Sequence, residues 1–353
     1  MDIESIRKSL YHEDETERLY AVEDVISFKA EQLVPDIIDM NLREDSRMVR
    51  ELIVEGLKLM DISDHYAKVA EYFESSDAFI RNCAIEIFGS KGESAVPFLT
   101  SIMDHSDKEV RKLILDCLVA TSSKYSIPAL RAALNDKAPN VQITAVEYLG
   151  KIEDKESLRD IVELFASTNE PMLRISCIET FVFLGGAETV DRVIDILGGR
   201  SVDGFYKPSV FRLVAEKGAE KHLDFLLSFL NNKNTLFFTE IANSILKIIS
   251  RENVSELPEE SVSFIIESAR NQNLSTDERI TFMRIISVLG ADGKEKILEE
   301  LAYEDDMNLM LSSLDELSGS NLEKALKIID RRLKVAEGDL KDELINLKEY
   351  LAE

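Results

Sequence analysis

Tryptophan is absent from the 353 residues, cysteine occurs three times, histidine four times, proline seven and glycine fourteen. So few punctuating residues leave a large all-β fold without its turn signals. Cys83, Cys117 and Cys177 are odd in number, widely spaced and without a CxxC pair, which argues against a disulfide framework or a structural zinc site. Each lies in an apolar helical stretch (RNCAIEIF, LILDCLVA, RISCIETF) and reads as a buried free thiol of a reducing compartment. No run approaches the ~18 apolar residues that span a bilayer. The opening MDIESIRKSLYHEDE lacks the apolar stretch of a secretory signal. A cytoplasmic protein without membrane insertion is expected. Bases are also short, 42 against 67 acids, for a formal charge of −25. Phosphate binding depends on Lys and Arg displacing counterions, so no nucleic-acid partner is expected. The apolar share of 45% is too high for a disordered chain.

Chemistry-bearing patterns are missing too. Neither GxxxxGK[ST], GxGxxG nor GxSxG occurs, which removes the phosphate loops and the nucleophile elbow. His12, His65, His105 and His222 share no metal-site spacing. Close carboxylate pairs are unavoidable among so many acids and read as solvated helix faces. The sequence assigns no catalytic, cofactor-binding or metal-binding residue.

What the chain does have is a period. Arg18, Arg50, Arg81, Arg111, Gln142 and Arg174 follow one another at 30 to 32 residues, and the last large apolar residue before each break (Met40, Phe73, Met103, Leu134, Phe165, Leu197, Leu230) keeps step. A fixed period of this size marks a repeat architecture. Pro35, Pro97 and Pro128 each open an apolar helical pattern, where the missing N–H of proline costs nothing. Pro139 and Pro171 occupy the other phase, so each unit has two helix starts and is a helix hairpin. In the clearest unit Asp77 is the expected N-cap, and Ile80, Ala84, Ile85 and Phe88 form one stripe. Gly89 and the following SKG are expected to end that helix. Ala95, Val96, Leu99, Ile102 and Met103 form the second stripe. No hairpin can bury its stripe alone, so the units must stack.

The segments DAFIRNCAIEIFGSKGESAVPFLTSIMDH (77–105) and DKEVRKLILDCLVATSSKYSIPALRAALND (107–136) resemble the HEAT-repeat family. Asp45/Val49/Arg50, Asp77/Ile80/Arg81 and Asp107/Val110/Arg111 match its Asp and Val-Arg positions. The resemblance is clear from about residue 12 to 200 and implies an all-α armadillo-type solenoid, here of about ten stacked hairpins. It also implies that the repeated Arg positions form a ladder with acids of their own or the adjacent unit. HEAT-like hydroxylases carry several His-Glu ligand pairs, whereas only His12-Glu13 matches here.

A single array over 1–353 is expected: regular repeats of about 31 residues over 1–200, irregular ones over 201–278, and C-terminal repeats with a capping helix over 279–353. The hairpin boundaries between 233 and 278 are left open, and the last repeat reads as a shorter pair of helices. GGRSVDGFYKP (198–208) interrupts the pattern, with Arg200 and Lys207 reading as solvated loop bases. Phe211, Phe225 and Phe229 are spaced as core, in one aromatic cluster with Phe237 and Phe238, while Phe205 and Tyr206 in the loop could anchor a partner. Because fold does not fix function, the reading stops at a class. The expected class is a non-enzymatic scaffold or adaptor, its acidic concave surface of second helices binding a protein partner through a basic segment. Asp36, Asp39, Glu71, Asp104, Asp160, Glu163, Asp191 and Asp195 are placed on that face, with Phe205 and Tyr206 beside it. The alternative is a HEAT-like enzyme or enzyme accessory of lyase-like or DNA-repair type, which a pocket with convergent polar groups would favour.

Overall fold

A computed structural model describes residues 2–230, 237–290 and 293–351. Among them every regular element is an α-helix or a short 3-10 turn. The helices begin where local chemistry supplies caps. Asp14, Asp77 and Asp107 accept from the backbone N–H groups of Thr16, Phe79 and Glu109 at 2.8 to 2.9 Å, and Ser46 accepts from Val49. These bonds answer N–H groups that a first turn leaves unpaired. Pro35, Pro97 and Pro128 stand in the first turns of second helices, and Pro139 and Pro171 begin first helices.

The chain divides into two compact units, Met1–Leu184 and Gly185–Glu353. In the former, Glu15–Ser27, Arg47–Leu59, Ala78–Lys91, Lys108–Ala120, Pro139–Lys151 and Pro171–Leu184 each pack on the next. The shorter helices Val34–Asn41, Tyr66–Ala70, Val96–Ser101, Ile127–Ala132 and Leu158–Ser167 return between them. The core belongs to neighbours jointly. Phe88 of one hairpin meets Tyr66 and Phe73 of the preceding one at ring separations of 5.5 and 5.8 Å. In the second unit Lys207–Lys217, Phe238–Glu252, Thr276–Leu289 and Met307–Arg332 form the corresponding row, with Leu223–Leu230, Glu259–Arg270 and Lys294–Leu301 returning. The boundaries left open after residue 233 are thereby located, except that 233–236 lie outside the described residues, as do 291–292.

Three local expectations differ. Gly89 itself does not end its helix, which continues to Lys91 and stops at Gly92, the glycine of the expected SKG, with φ +58°. Gly89 is needed for packing instead, since a Cβ there would lie 2.9 Å from Ala120 Cβ of the next helix. The buried stripe of this helix takes Cys83 and Ile87, while Ile85 is only half-buried. The last repeat is not a short pair: Met307–Arg332 runs on across a kink at Asn321 (φ −153°, ψ 80°) before Asp339–Tyr350.

The repeated arginines have one job. Arg18, Arg50, Arg81 and Arg111 each donate to the carbonyl six residues earlier, those of His12, Glu44, Ser75 and His105. Three also reach an acid at the start of the next hairpin: Arg18 to Glu44 and Arg111 to Asp136 with two bonds each of 2.7 to 2.8 Å, and Arg50 to Asp77 at 2.8 Å. Each guanidinium therefore ties the incoming turn to its neighbour, using its planar fork. Arg279 does the same in the second unit, between the Ala269 carbonyl and Glu304. Gln142 keeps only a carbonyl contact, to Leu134 at 2.9 Å, and the buried Nε of Arg174 has no hydrogen bond.

Candidate partner-binding surface

Asp36, Asp39, Asp160, Glu163, Asp191 and Asp195 lie on second helices, whereas Glu71 begins the 3-10 turn Glu71–Glu74 and Asp104 lies in the turn after Val96–Ser101. The structure separates these acids into two kinds. Asp36 accepts from Arg7 at 3.3 Å, Asp39 pairs with Lys68 at 2.8 Å, and Glu163 pairs with Arg159 one turn away at 3.0 Å. Asp191 is held by Lys221 and by the buried His222, whose Nε2 lies 2.9 Å away. His222 Nδ1 accepts from the Ala219 N–H at 2.8 Å, leaving Nε2 to donate to Asp191. Lys221 foremost, against the opposing effect of burial and aided by His222, keeps the Asp191 carboxyl below its ordinary range. Asp36, Asp39 and Asp191 thereby join neighbouring helices, whereas the Glu163 pair lies within a single helix. Glu71, Asp104, Asp160 and Asp195, by contrast, are exposed and make no ion pair among the described residues. Their charges remain available in water.

Asp39, Glu71 and Glu163 occupy the same position of their hairpins, four residues beyond the first-turn site that Pro35, Pro97 and Pro128 mark. Ser101 and Ala132 fill it in the two hairpins between, so the acidic row of the first unit is interrupted. Asp195 falls at the corresponding place in Ala187–Ile196 of the second unit.

The glycine-rich segment is ordered around one buried side chain, Val202, at 4% exposure. Gly198 and Gly199 both adopt positive φ there, the left-handed region that favours glycine. Phe205 is 53% exposed and stands edge-on to the half-buried Tyr206 at 5.4 Å. Lys207, read from sequence as a solvated base, instead lies over the Phe229 ring at 5.1 Å. Arg200 is exposed.

No group of three or more His, Cys, Asp or Glu side chains that could hold a metal ion occurs among the described residues. His12 and His105 use Nδ1 to accept from the N–H groups of Asp14 and Asp107, both at 3.1 Å. The three cysteines are buried free thiols. Burial pushes Cys83 up to about 11 and Cys177 up to about 12, and Cys117 well above its ordinary value. No helix among the described residues is long and apolar enough to cross a membrane.

One feature of the second unit was not legible in the sequence. A groove of about 660 Å³ lies between Glu259–Arg270 and the starts of Phe238–Glu252 and Thr276–Leu289. Phe238, Phe264 and Leu274 give it apolar walls, with Glu267, Arg270 and Glu278 among its polar residues. The aromatic cluster splits accordingly. Phe211, Phe225 and Phe229 form a buried knot, with ring separations of 5.1 to 6.3 Å, while Phe238 is half-buried against Phe264 at 6.0 Å and Phe282 at 5.0 Å. Spacing along the chain could not show this, because Phe238 and Phe264 meet only through helix packing.

Helix hairpins repeating along each unit, with their cores shared between neighbours, define an α-solenoid. Residues 96–181 match the family model for HEAT repeats, and the α-solenoid fold of the chain is that of HEAT-repeat proteins. Among solved structures, the chain is similar to Kap95p in a structure whose subject is Kap95p binding to RanGDP. There the TM-score is 0.61 at 12% identity, covering 99% of this chain and 57% of that one. A structure of yeast importin-β (Kap95p) gives a TM-score of 0.54 at 11% identity, with 99% and 56% covered. The karyopherin Kap121p, bound to the extreme C-terminus of the protein phosphatase Cdc14p, gives 0.55 at 10% identity, with 97% and 49% covered. The chain thus spans about half the length of these karyopherins. A comparison of the sequence with curated proteins finds no match.

Proposed function

We propose that the protein is a non-enzymatic scaffold or adaptor of the cytoplasm that holds a basic segment of a protein partner on the acidic side of its second helices. The observation that carries this reading is the set of exposed carboxylates without ion pairs, Glu71, Asp104, Asp160 and Asp195, on a chain of net charge −25. Acids answered by their own chain contribute little field, whereas unanswered ones attract cations and repel phosphates. The paired acids Asp36, Asp39, Glu163 and Asp191 set the shape and charge of their surroundings. Phe205 adds an exposed apolar contact in the second unit, backed by Tyr206. The fold is one on which karyopherins are seen with protein partners, and the reduced, buried thiols suit a reducing compartment.

The test uses the partner captured from native lysate, with affinity measured at low and high salt. The variant combines Glu71→Gln, Asp160→Asn and Asp195→Asn, all on exposed side chains. Affinity is expected to fall with salt and to fall again in the variant, with a shallower salt slope. Binding that ignores both changes overturns the acidic-surface reading.

A further inference from the structure

We propose that the groove walled by Phe238, Phe264 and Leu274 receives an arginine or lysine side chain of the protein partner, its aliphatic stem on the Phe264 ring and its charge at Glu267. The inference rests on the scaffold reading and adds a location and a chemistry to it.

The groove's volume, about 660 Å³, lies within the range of sites that enclose ligand groups. Its apolar wall is fixed from behind, because Phe238 is wedged between Phe264 and the fully buried Phe282. Phe264 and Leu274 are only half-buried, so apolar surface remains to be covered. The charge beside that wall is negative. Glu278 is fixed as an acceptor by Ser275 N–H at 2.9 Å, Ser275 Oγ at 2.8 Å and Thr239 Oγ1 at 3.0 Å. Glu267 is exposed, with no ion pair among the described residues. Arg270 does not answer it, since both its Nε and an Nη are spent on Glu300 at 2.9 and 2.6 Å.

Two carboxylates beside an aromatic wall, with the neighbouring base already paired, select a cation carrying an apolar stem. A guanidinium or ammonium within ~6 Å of the ring gains the cation–π attraction as well as the carboxylate. A neutral apolar side chain would cover the wall but remove water from Glu267 without replacing it. An acidic side chain would be repelled.

The absence of tryptophan from the chain supplies the assay. Phe264→Trp places the sole indole in the groove, and circular dichroism checks that the variant keeps its helices. The probe is a fluorescein-free nonapeptide alternating arginine and leucine; its glutamine–leucine and glutamate–leucine counterparts are controls. Total binding to the unaltered protein is read separately by anisotropy of a labelled copy. The expected result is a saturable emission change with the arginine peptide alone, weakened about threefold to fivefold by adding Glu267→Gln. Salt-dependent anisotropy with silent indole emission and no effect of Glu267→Gln overturns the groove and leaves the acidic scaffold standing. Equal binding of the glutamine peptide overturns the cationic occupant. No anisotropy change with any peptide counts against both readings.

Discussion

Arg111 is 2% exposed, and burying its charge is tolerable only because each of its three guanidinium nitrogens is hydrogen-bonded. Asp136 takes two of its bonds and the turn carbonyls of His105 and Ser106 take others. Breaking a buried pair by removing one partner typically costs ~3–5 kcal/mol, so Arg111→Met is expected to destabilise the first unit by about that amount in urea denaturation. The pair also sets an acid limit. Burial alone would raise the Asp136 carboxyl, but Arg111 and the Ala138 N–H outweigh it and hold it below its ordinary value. A lowered carboxyl stabilises the fold fully above its unfolded value near ~4, and that stability is lost as pH falls through the folded value. In Arg111→Met the loss should begin at higher pH, because burial is then less opposed; an unchanged acid-unfolding profile would contradict this. The thiols give a second residue-scale expectation. Buried and shifted upward, Cys83, Cys117 and Cys177 should resist a thiol reagent at pH 8 in the native protein and react, all three, in urea. Rapid native labelling would show that they are accessible.

At the scale of the element, the close approach of Ala78–Lys91 and Lys108–Ala120 is set by the missing side chain of Gly89. Gly89→Ala would gain helix propensity of roughly 1 kcal/mol. It also forces overlap with Ala120, and overpacking of this kind costs ~1–3 kcal/mol. Net destabilisation is expected, relieved when Ala120→Gly is added; a stabilised single variant would show that the helices separate freely. The end of Arg47–Leu59 depends on the next hairpin too, because Lys91 Nζ donates to the carbonyls of Leu57, Lys58 and Met60 at 2.6 to 2.9 Å. These are the groups that a last turn leaves unpaired. Leu134 lies in the 3-10 turn Ala133–Asn135 that tightens the end of Ile127–Ala132, and it is 3% exposed. Leu134→Ala should cost ~2–5 kcal/mol in chemical denaturation, the range for a buried leucine truncation.

For the whole molecule, division into two compact units gives a prediction that those substitutions can test. Stability in repeat arrays is a sum of local and nearest-neighbour contributions. Urea unfolding followed by helix content is therefore expected in two steps. Leu134→Ala should move the step of Met1–Leu184, and Ile286→Ala, at a fully buried site of the other unit, should move the second. A single step shifted equally by either substitution would mean that all hairpins unfold together as one array, as the sequence period suggests. The charge of −25 acts at this scale too. Screening shortens to ~8 Å at physiological ionic strength, so exposed acids more than one hairpin apart act on a partner nearly independently.

Much of this was fixed locally and could be read along the chain. Asp77 and Asp107 cap helices because a short carboxylate can reach the first free N–H groups, and Pro35, Pro97 and Pro128 open helices because proline lacks a donor that the first turn leaves unused. The period of the arginines predicted their ladder, since each needs only a turn of its own hairpin and an acid of the next. Tertiary structure decided what depends on packing between segments distant in sequence. It left the helix end to Gly92 within the expected SKG and gave Gly89 a packing role instead, because a side chain there would collide with Ala120 of the neighbouring helix. It paired Asp39 with Lys68 and Asp191 with His222 while leaving Glu71 and Asp195 free, a distinction invisible in a list of acids. It also brought Phe238 and Phe264 together beside Glu267, because three helices that carry unremarkable apolar stripes leave a groove where their ends converge.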